Sequence, residues 1–584
     1  MKITRKRTMA VAAILTLVMV LTYIIPVAAI PHGGPIPGSF WPVFNPYNAA
    51  LDRDDSAAVV RYGRRLFDHM LSGQTAEARA AEWEANPAGF GFSINITYMA
   101  AYNVAHHALR INDGENAIWG TEMALLFMNA YQAFIPQIGG NPADLEFTRT
   151  ILTGRLASLT VQAVLFAELR DGTGRIAEFD APFVPRTGIF FGEPTGNSAV
   201  KGGPNPPSAV SIYVEFETQD MRQRVTYDLR RNETMFGVSR YDYSLVQINW
   251  NFLHEGSTPA TIPAQGARIT EAARFLNKTG LPILLRVGGE VDAWSNRADP
   301  DEFIAAFRFI ANIMRREAPN VAMVYSVNHF PHHDIDWMTY YPGEDYVDWI
   351  GISLYVARYF LGNPNTTPVE AAIFRTGEYA NPVAVMRELV EMFGHRHPIY
   401  ISEGGVSLYN ISNSEDLTEW ALPRMRQLYA YIPMLFPEVK AIFWFNTYVP
   451  SDVVSMRFDF NTSSRARELY TQLVNTEYFL GRGQTESPIT FAPASDGVTL
   501  PANAVALLTY APFFAYDELV VQYFINGQWR GQSNIIPYRL VLDLSGLENG
   551  SHVLNVHILH NGSRLQSLEY LMVKYSGMIA ISKL

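Results

Sequence analysis

From position 187 onward, short apolar runs alternate with helical patterns. The runs are 188–192, 211–216, 245–250, 282–287, 322–327, 348–354, 398–402 and 441–445. Each is too short for a helix and is bounded by glycine, proline or polar residues, so each reads as a buried strand. Strands that alternate with helices pair in parallel, and eight of them suit a closed (β/α)8 barrel. The intervening helices are well marked. Asp299 caps a helix with Pro300 at its first position, Phe303, Phe307, Ile310 and Met314 form an apolar stripe, and Arg315 and Arg316 suit its C-terminal dipole. The barrel is placed at 185–478 of an α/β chain.

Two of the runs end alike. Ile283, Leu284, Leu285, Arg286 and Val287 lead through two glycines to Glu290, with Trp294 just beyond. Ile399, Tyr400, Ile401 and Ser402 lead to Glu403 and again to glycine. Side chains at the C-terminal ends of barrel strands carry the chemistry of this fold, and a carboxylate is costly to bury without a function or a partner. Glu290 and Glu403 are therefore the candidate catalytic pair.

The segment 269–448 resembles glycoside hydrolase family 26, of the clan of retaining (β/α)8 glycosidases. The resemblance rests on Pro282 to Arg286 leading to Glu290, on Asp299-Pro300 with Phe303, on Asn320 to Asn328, on Tyr340-Tyr341-Pro342-Gly343 running to Gly351 and Tyr355, and on Glu403. It implies Glu290 as acid/base and Glu403 as nucleophile. Tyr355 would hydrogen-bond the nucleophile, Trp444 would stack on the sugar, and Arg286 would support both carboxylates from beneath. One position departs from the family. Histidine usually precedes the acid/base, asparagine in the wider clan, whereas Gly289 stands here. Asn328 and His329, from the next strand end, are the candidates to take over contact with the substrate's 2-hydroxyl. Hydrolysis through an oxocarbenium-like state needs one protonated and one ionised carboxyl group, and Glu290, beside Trp294, is expected to be the protonated one. The resemblance implies β-mannan as first substrate, with β-1,3-xylan and mixed-linkage β-glucan as others. The competing class is a non-catalytic glycan-binding protein that keeps the barrel as scaffold.

No cofactor and no metal is implied. The run His329, His332, His333, Asp334 and Asp336 invites a metal reading, but a loop that lines the cleft explains it as well. Aromatics near strand ends, Trp294, Trp337, Tyr340, Tyr341, Tyr355 and Trp444, suit either a glycan cleft or a core.

The flanks are of other kinds. A basic start, an apolar run over 9–25 and small residues at 27–29 read as a signal peptide, 1–29; if uncleaved it would be an anchor, the one membrane contact expected. The chain is thus expected to be secreted or held at the cell surface, as a monomer. Residues 30–180 read as a helical region, with Leu156, Leu159, Ala163 and Phe166 at the spacing of its last helix. The pair His106-His107 is expected to be packed or solvated. A polar linker near 480–495 leads to alternating strands at 490–576, with hairpin signals at Asn526-Gly527 and Asn561-Gly562. These read as an immunoglobulin-like β-sandwich, an autonomous spacer. A net charge of −11 disfavours nucleic acid as partner, and the absence of cysteine removes disulfides and thiolate chemistry.

Overall fold

The computed structural model describes residues 40–584 except 112, 139, 161, 196–205, 238, 240–241, 252–257, 293–298, 330–335, 360–380, 449–454 and 513–517. The expected signal peptide lies outside these residues. The chain forms two compact units, 1–160 and 161–584. Among the described residues no helix is long and apolar enough to cross a membrane.

The first unit holds six described α-helices, Phe40–Asp52, Ser56–Leu71, Ala76–Ala85, Pro87–Arg110, Gly114–Phe134 and Pro142–Thr160. Asp55, Thr75, Asn86 and Asp113 each cap a helix by accepting from a backbone N–H three residues on. Val59, Leu66, Phe67 and Met70 lie buried on one face of the second helix, and Phe67 meets Trp119 and Phe127 edge-on. Gly120 lets the two longest helices touch, since a Cβ there would lie 2.5 Å from Ala105 N. His107 is packed inside, its Nδ1 3.0 Å from Ser56 Oγ.

The second unit contains the barrel. Its strands are β2 (Ile189–Pro194), β3 (Ala209–Glu215), β4 (Leu245–Asn251), β5 (Ile283–Val287), β6 (Val321–Asn328), β7 (Trp349–Val356), β8 (Ile399–Val406) and β9 (Val439–Trp444). All pair in parallel with their neighbours, and β9 closes on β2 with Ala441 opposite Phe190. A short strand, β10 (Phe479–Leu480), adds to the foot of β2.

Side-chain alternation divides each strand between the barrel interior and the helix layer. The interior is apolar at its N-terminal end, where Leu245, Leu284, Val324, Trp349, Tyr400 and Phe443 cluster. Two or four residues further along the same strands the inward positions turn polar: Gln247, Asn249, Arg286, Ser326, Ser353 and Ser402. Outward residues such as Ile248, Leu285, Met323 and Ile401 pack on the helices. Helix Pro300–Glu317 meets the expectation, with Asp299 capping it and Phe303, Phe307, Ile310 and Met314 buried.

The flanking boundary differs from expectation. Helix Pro142–Thr160 stops before Ala163, and Val164–Leu169 is a strand, β1. It lies between β11 (Thr490–Pro493) and β13 (Val505–Tyr510), antiparallel to both, in a four-stranded sheet completed by β16 (Leu540–Leu542). A six-stranded sheet faces it, ordered β12 (Val498–Pro501), β19 (Met578–Lys583), β18 (Ser563–Tyr575), β17 (Gly550–His560), β14 (Val520–Ile525) and β15 (Gln528–Ser533). Tyr523 and Tyr570 of this sheet reach Thr509 and the Leu165 N–H of the other. The expected linker is packed as well: Ser487 and Ile489 are buried, and Ser487 is bonded to Thr187 beside β2. The C-terminal sheets are therefore not autonomous, because a strand from before the barrel sits in the middle of one of them. β1 has the apolar content to require this. Leu165 and Phe166 are buried, and exposing such side chains costs about 1.5–3 kcal/mol each. A chain ended at Gly483 should lose soluble yield or melt several degrees lower, read by thermal unfolding. An unchanged Tm would show that the barrel holds β1 by itself.

Candidate active site

Glu290 stands three residues past β5. The chain turns there through two left-handed residues, Gly288 at φ 57° and Glu290 itself at φ 64°. A non-glycine residue in that region costs about 1–3 kcal/mol and persists only where its surroundings hold it. The turn brings the Glu290 carboxylate over the mouth of the barrel, 3.9 Å from Arg286 Nη2, where the side chains of Ser353 and Asn328 donate to it. Gly289 fits for a local reason. A Cβ at that position would meet Arg286 Cζ at 2.5 Å and Nε at 2.6 Å, so the guanidinium fills the space that a side chain would need.

Glu403 is aimed by a bulge. On β8, Tyr400 points inward and Ile401 outward. Regular alternation would send Glu403 outward too. Both neighbouring strands record one extra residue in β8: Ile352 and Ser353 face Ile401 and Glu403, while Ile442 and Trp444 face Ile401 and Gly404. A bulge re-aims the side chain that follows it. Glu403 thus enters the barrel and accepts from Tyr355 Oη at 2.5 Å, Tyr213 Oη at 3.0 Å and Arg286 Nη1 at 3.1 Å.

Arg286 lies between the two carboxylates and is 3% exposed. Its Nε donates to Ser326 Oγ, Nη1 to Asn249 Oδ1 and Nη2 to Ser353 Oγ, at 2.7–3.0 Å. Burial opposes its charge, but Glu403 and Glu290 outweigh burial and push its pKa up. The Glu290 pKa is also raised. Burial is the main cause and the charge of Glu403 the second, against the opposing pull of Arg286, Ser353 and Asn328. Burial and the Glu403 charge hold the Tyr213 and Tyr355 phenols well above their ordinary value, so both remain donors. The site holds one carboxyl group biased toward its protonated form and one carboxylate fixed by three donors. Such a pair can protonate a leaving oxygen and attack a carbon.

The structure brings together Glu290, Glu403, Arg286, Tyr355 and Asn328 of the expected set. His329 is buried beside them, but its Nδ1 lies 3.0 Å from Ser353 O, on the main chain of β7. Trp294, His332, His333 and Asp334 lie outside the described residues. Trp444 requires correction. Ala441 and Phe443 face inward, so Ile442 and Trp444 face the helices. Trp444 is 1% exposed, stacks on Phe460 at 4.7 Å and donates to Phe458 O, and so presents no face to a sugar. The next residue, half-buried Phe445, takes the inward place, 6.1 Å from the rings of both Tyr213 and Tyr355. Trp337 and Tyr340 are core residues, and Tyr341 packs on Phe393. Sequence reasoning missed Tyr213, Ser353 and Phe445. All three hold inward positions, which strand parity would have marked once Arg286 was taken as inward.

Residues 244–406 match the profile of glycosyl hydrolase family 26. They run from the start of β4 to the end of β8 and include both carboxylates. This is a glycoside hydrolase. Among solved structures the chain is similar to the family 26 β-mannanase of Bacteroides ovatus, at 15% identity over 52% of this chain and 93% of that one, TM-score 0.31. It is similar to GH26C of Muricauda sp. MAR_2010_75, at 15% over 50% and 87%, TM-score 0.35. A β-mannanase from a symbiotic protist of the termite Reticulitermes speratus, complexed with gluco-manno-oligosaccharide, matches at 13% over 53% and 99%, TM-score 0.31. No curated protein matches the sequence.

The Glu290 shift has a consequence for stability. Its carboxyl titrates at about 4.3 in an unfolded chain and higher in the fold. Between those values the folded protein holds a proton that the unfolded chain has released, so stability falls as pH rises. The contribution is complete below about pH 4.3 and lost as pH rises through the folded value. Glu290→Gln should therefore raise Tm at pH 7, with the gain vanishing at pH 4. A lower Tm at pH 7 would show that Glu290 sits ionised and well paired.

Proposed function

We propose that the chain is a secreted retaining endo-β-glycanase acting on a β-linked polysaccharide, with β-mannan the first substrate to try. The observation that carries this reading is the division of labour around Arg286. Glu403 has three donors and an aim into the barrel, whereas Glu290 is pushed toward its acid form. In the first step Glu403 attacks the anomeric carbon while Glu290 gives its proton to the departing glycosidic oxygen. In the second, Glu290, now a carboxylate, takes a proton from water; the water oxygen bonds to the anomeric carbon and Glu403 leaves. The Tyr213, Tyr355 and Arg286 donors favour that departure, because they stabilise the charge that returns to Glu403.

The family 26 match supports mannan only as a starting substrate. The leader-like start supports export, and the two facing C-terminal sheets support an immunoglobulin-like module built around β1. The departure at Gly289 is what would favour a non-catalytic barrel, but the space beside Gly289 is taken by a guanidinium bonded into the site.

Azide separates the roles of the two carboxylates. With an activated aryl glycoside, Glu290→Ala should still glycosylate Glu403 and then stall, because water lacks its base; azide, which needs no deprotonation, should restore turnover and give the retained glycosyl azide. Glu403→Ala should lose nearly all hydrolysis, and azide should give the inverted product. Reversed stereochemistry would exchange the roles. Unchanged rates in both variants would place the site elsewhere.

A further inference from the structure

The outer face of the six-stranded C-terminal sheet carries chemistry that the barrel does not use. Its inner face is apolar and covered, with Val521, Tyr523, Ile525, Val556 and Ile558 buried. The strand register places the outward residues in two adjacent rows. In one, Trp529 of edge strand β15 stands opposite Phe524, which stands opposite Asn555. In the other, Gln532 stands opposite Gln522, which stands opposite His557. Trp529 is 59% exposed, so its ring is open to solvent. The Phe524 and His557 rings lie 4.8 Å apart at 39°, joining the rows, and Gln522 donates to Gln532 at 3.1 Å.

We infer that this face is a second glycan-binding site, seated on Trp529 and the amide row of Gln522, Gln532 and Asn555, that takes an uncharged polysaccharide chain. The inference rests on the reading of the barrel as a polysaccharide hydrolase only for its choice of glycan. The chemistry of the face supports the occupant. Aromatic faces pack on the C–H surface of a sugar ring. Primary amides both donate and accept, as neighbouring hydroxyls require. The face carries few charges and of both signs: Glu569 lies opposite Asn555, Arg564 beside His557 and exposed Arg530 next to Trp529, and burial and Arg564 hold the His557 pKa down. So sparse a charge matches an uncharged glycan. It gives no row of cations for phosphate, and the wet amides lack the continuous apolar core of a protein interface.

The test uses the full chain carrying Glu403→Ala, so that the polymer survives. Its mobility is compared with that of the Glu403→Ala/Trp529→Ala chain in native gels containing glucomannan, galactomannan, mixed-linkage β-glucan or xylan. The expected result is retardation by at least one polymer, with apparent affinity weakened about tenfold by loss of Trp529, the scale of one aromatic anchor, and kept by Trp529→Phe. In the Glu403-containing enzyme, Trp529→Ala should leave kcat/KM on a soluble oligosaccharide unchanged and slow the release of sugar from insoluble polymer. Equal mobility of the two chains in every gel would overturn the inference, whether or not the enzyme hydrolyses. Trp529-dependent retardation by a chain whose Glu403-containing parent hydrolyses nothing would uphold this site and overturn the catalytic reading instead.

Discussion

A single buried cation organises the upper half of the barrel. Arg286 is almost sealed from solvent, and a guanidinium in such a place must find acceptors for its donors or fail to fold. It finds Ser326, Asn249, Ser353 and Glu403, one from each of four other strands. Glu290 completes the set from 3.9 Å. Removing one side of a buried ion pair costs about 3–5 kcal/mol, so Glu403 and the arginine depend on one another. The same cation explains Gly289: at this spot packing of the guanidinium takes precedence over the polar side chain seen in the resembling family.

Two backbone irregularities convert this pairing into an active site. Regular strands would leave Glu403 among the helices and carry Glu290 onward past the mouth. The bulge in β8 turns the first inward, and the left-handed turn after β5 folds the second back. Both distort the backbone within a few residues of the chemistry, where a rigid surrounding sheet can hold them. The unequal treatment of the carboxylates follows: Glu403 is gripped by three donors from three strands, whereas Glu290 is set further from the cation, where desolvation and its neighbour's charge bias it toward the acid.

How far this was legible in the sequence depends on period. The eight strands were legible because each is a short apolar run between breakers, and the Asp299–Pro300 helix start because capping chemistry is local. Glu290 and Glu403 were legible as strand-end carboxylates, Arg286 and Tyr355 through the family resemblance. Trp444 was misplaced by one residue, since composition marks an aromatic strand end but only parity decides that Phe445 faces the carboxylates. Tyr213 was missed because no local signal links a tyrosine on the second barrel strand to a glutamate on the seventh; that contact is created by closure of the sheet. β1 was read as the end of a helix for a related reason. Phe166 and the preceding Ala163 fit a helical stripe as well as a strand, and the partners of β1 lie more than 300 residues further on.

The central claim is that two carboxylates gathered around one guanidinium hydrolyse a β-glycosidic bond by double displacement. The most direct measurement is 1H NMR of the anomeric proton in the first minutes of hydrolysis of a β-linked oligosaccharide, before mutarotation. This account predicts that the β-anomer appears first and the α-anomer only later, as double displacement requires. Initial release of the α-anomer would mean direct attack by water, and would contradict the assignment of Glu403 as the attacking group.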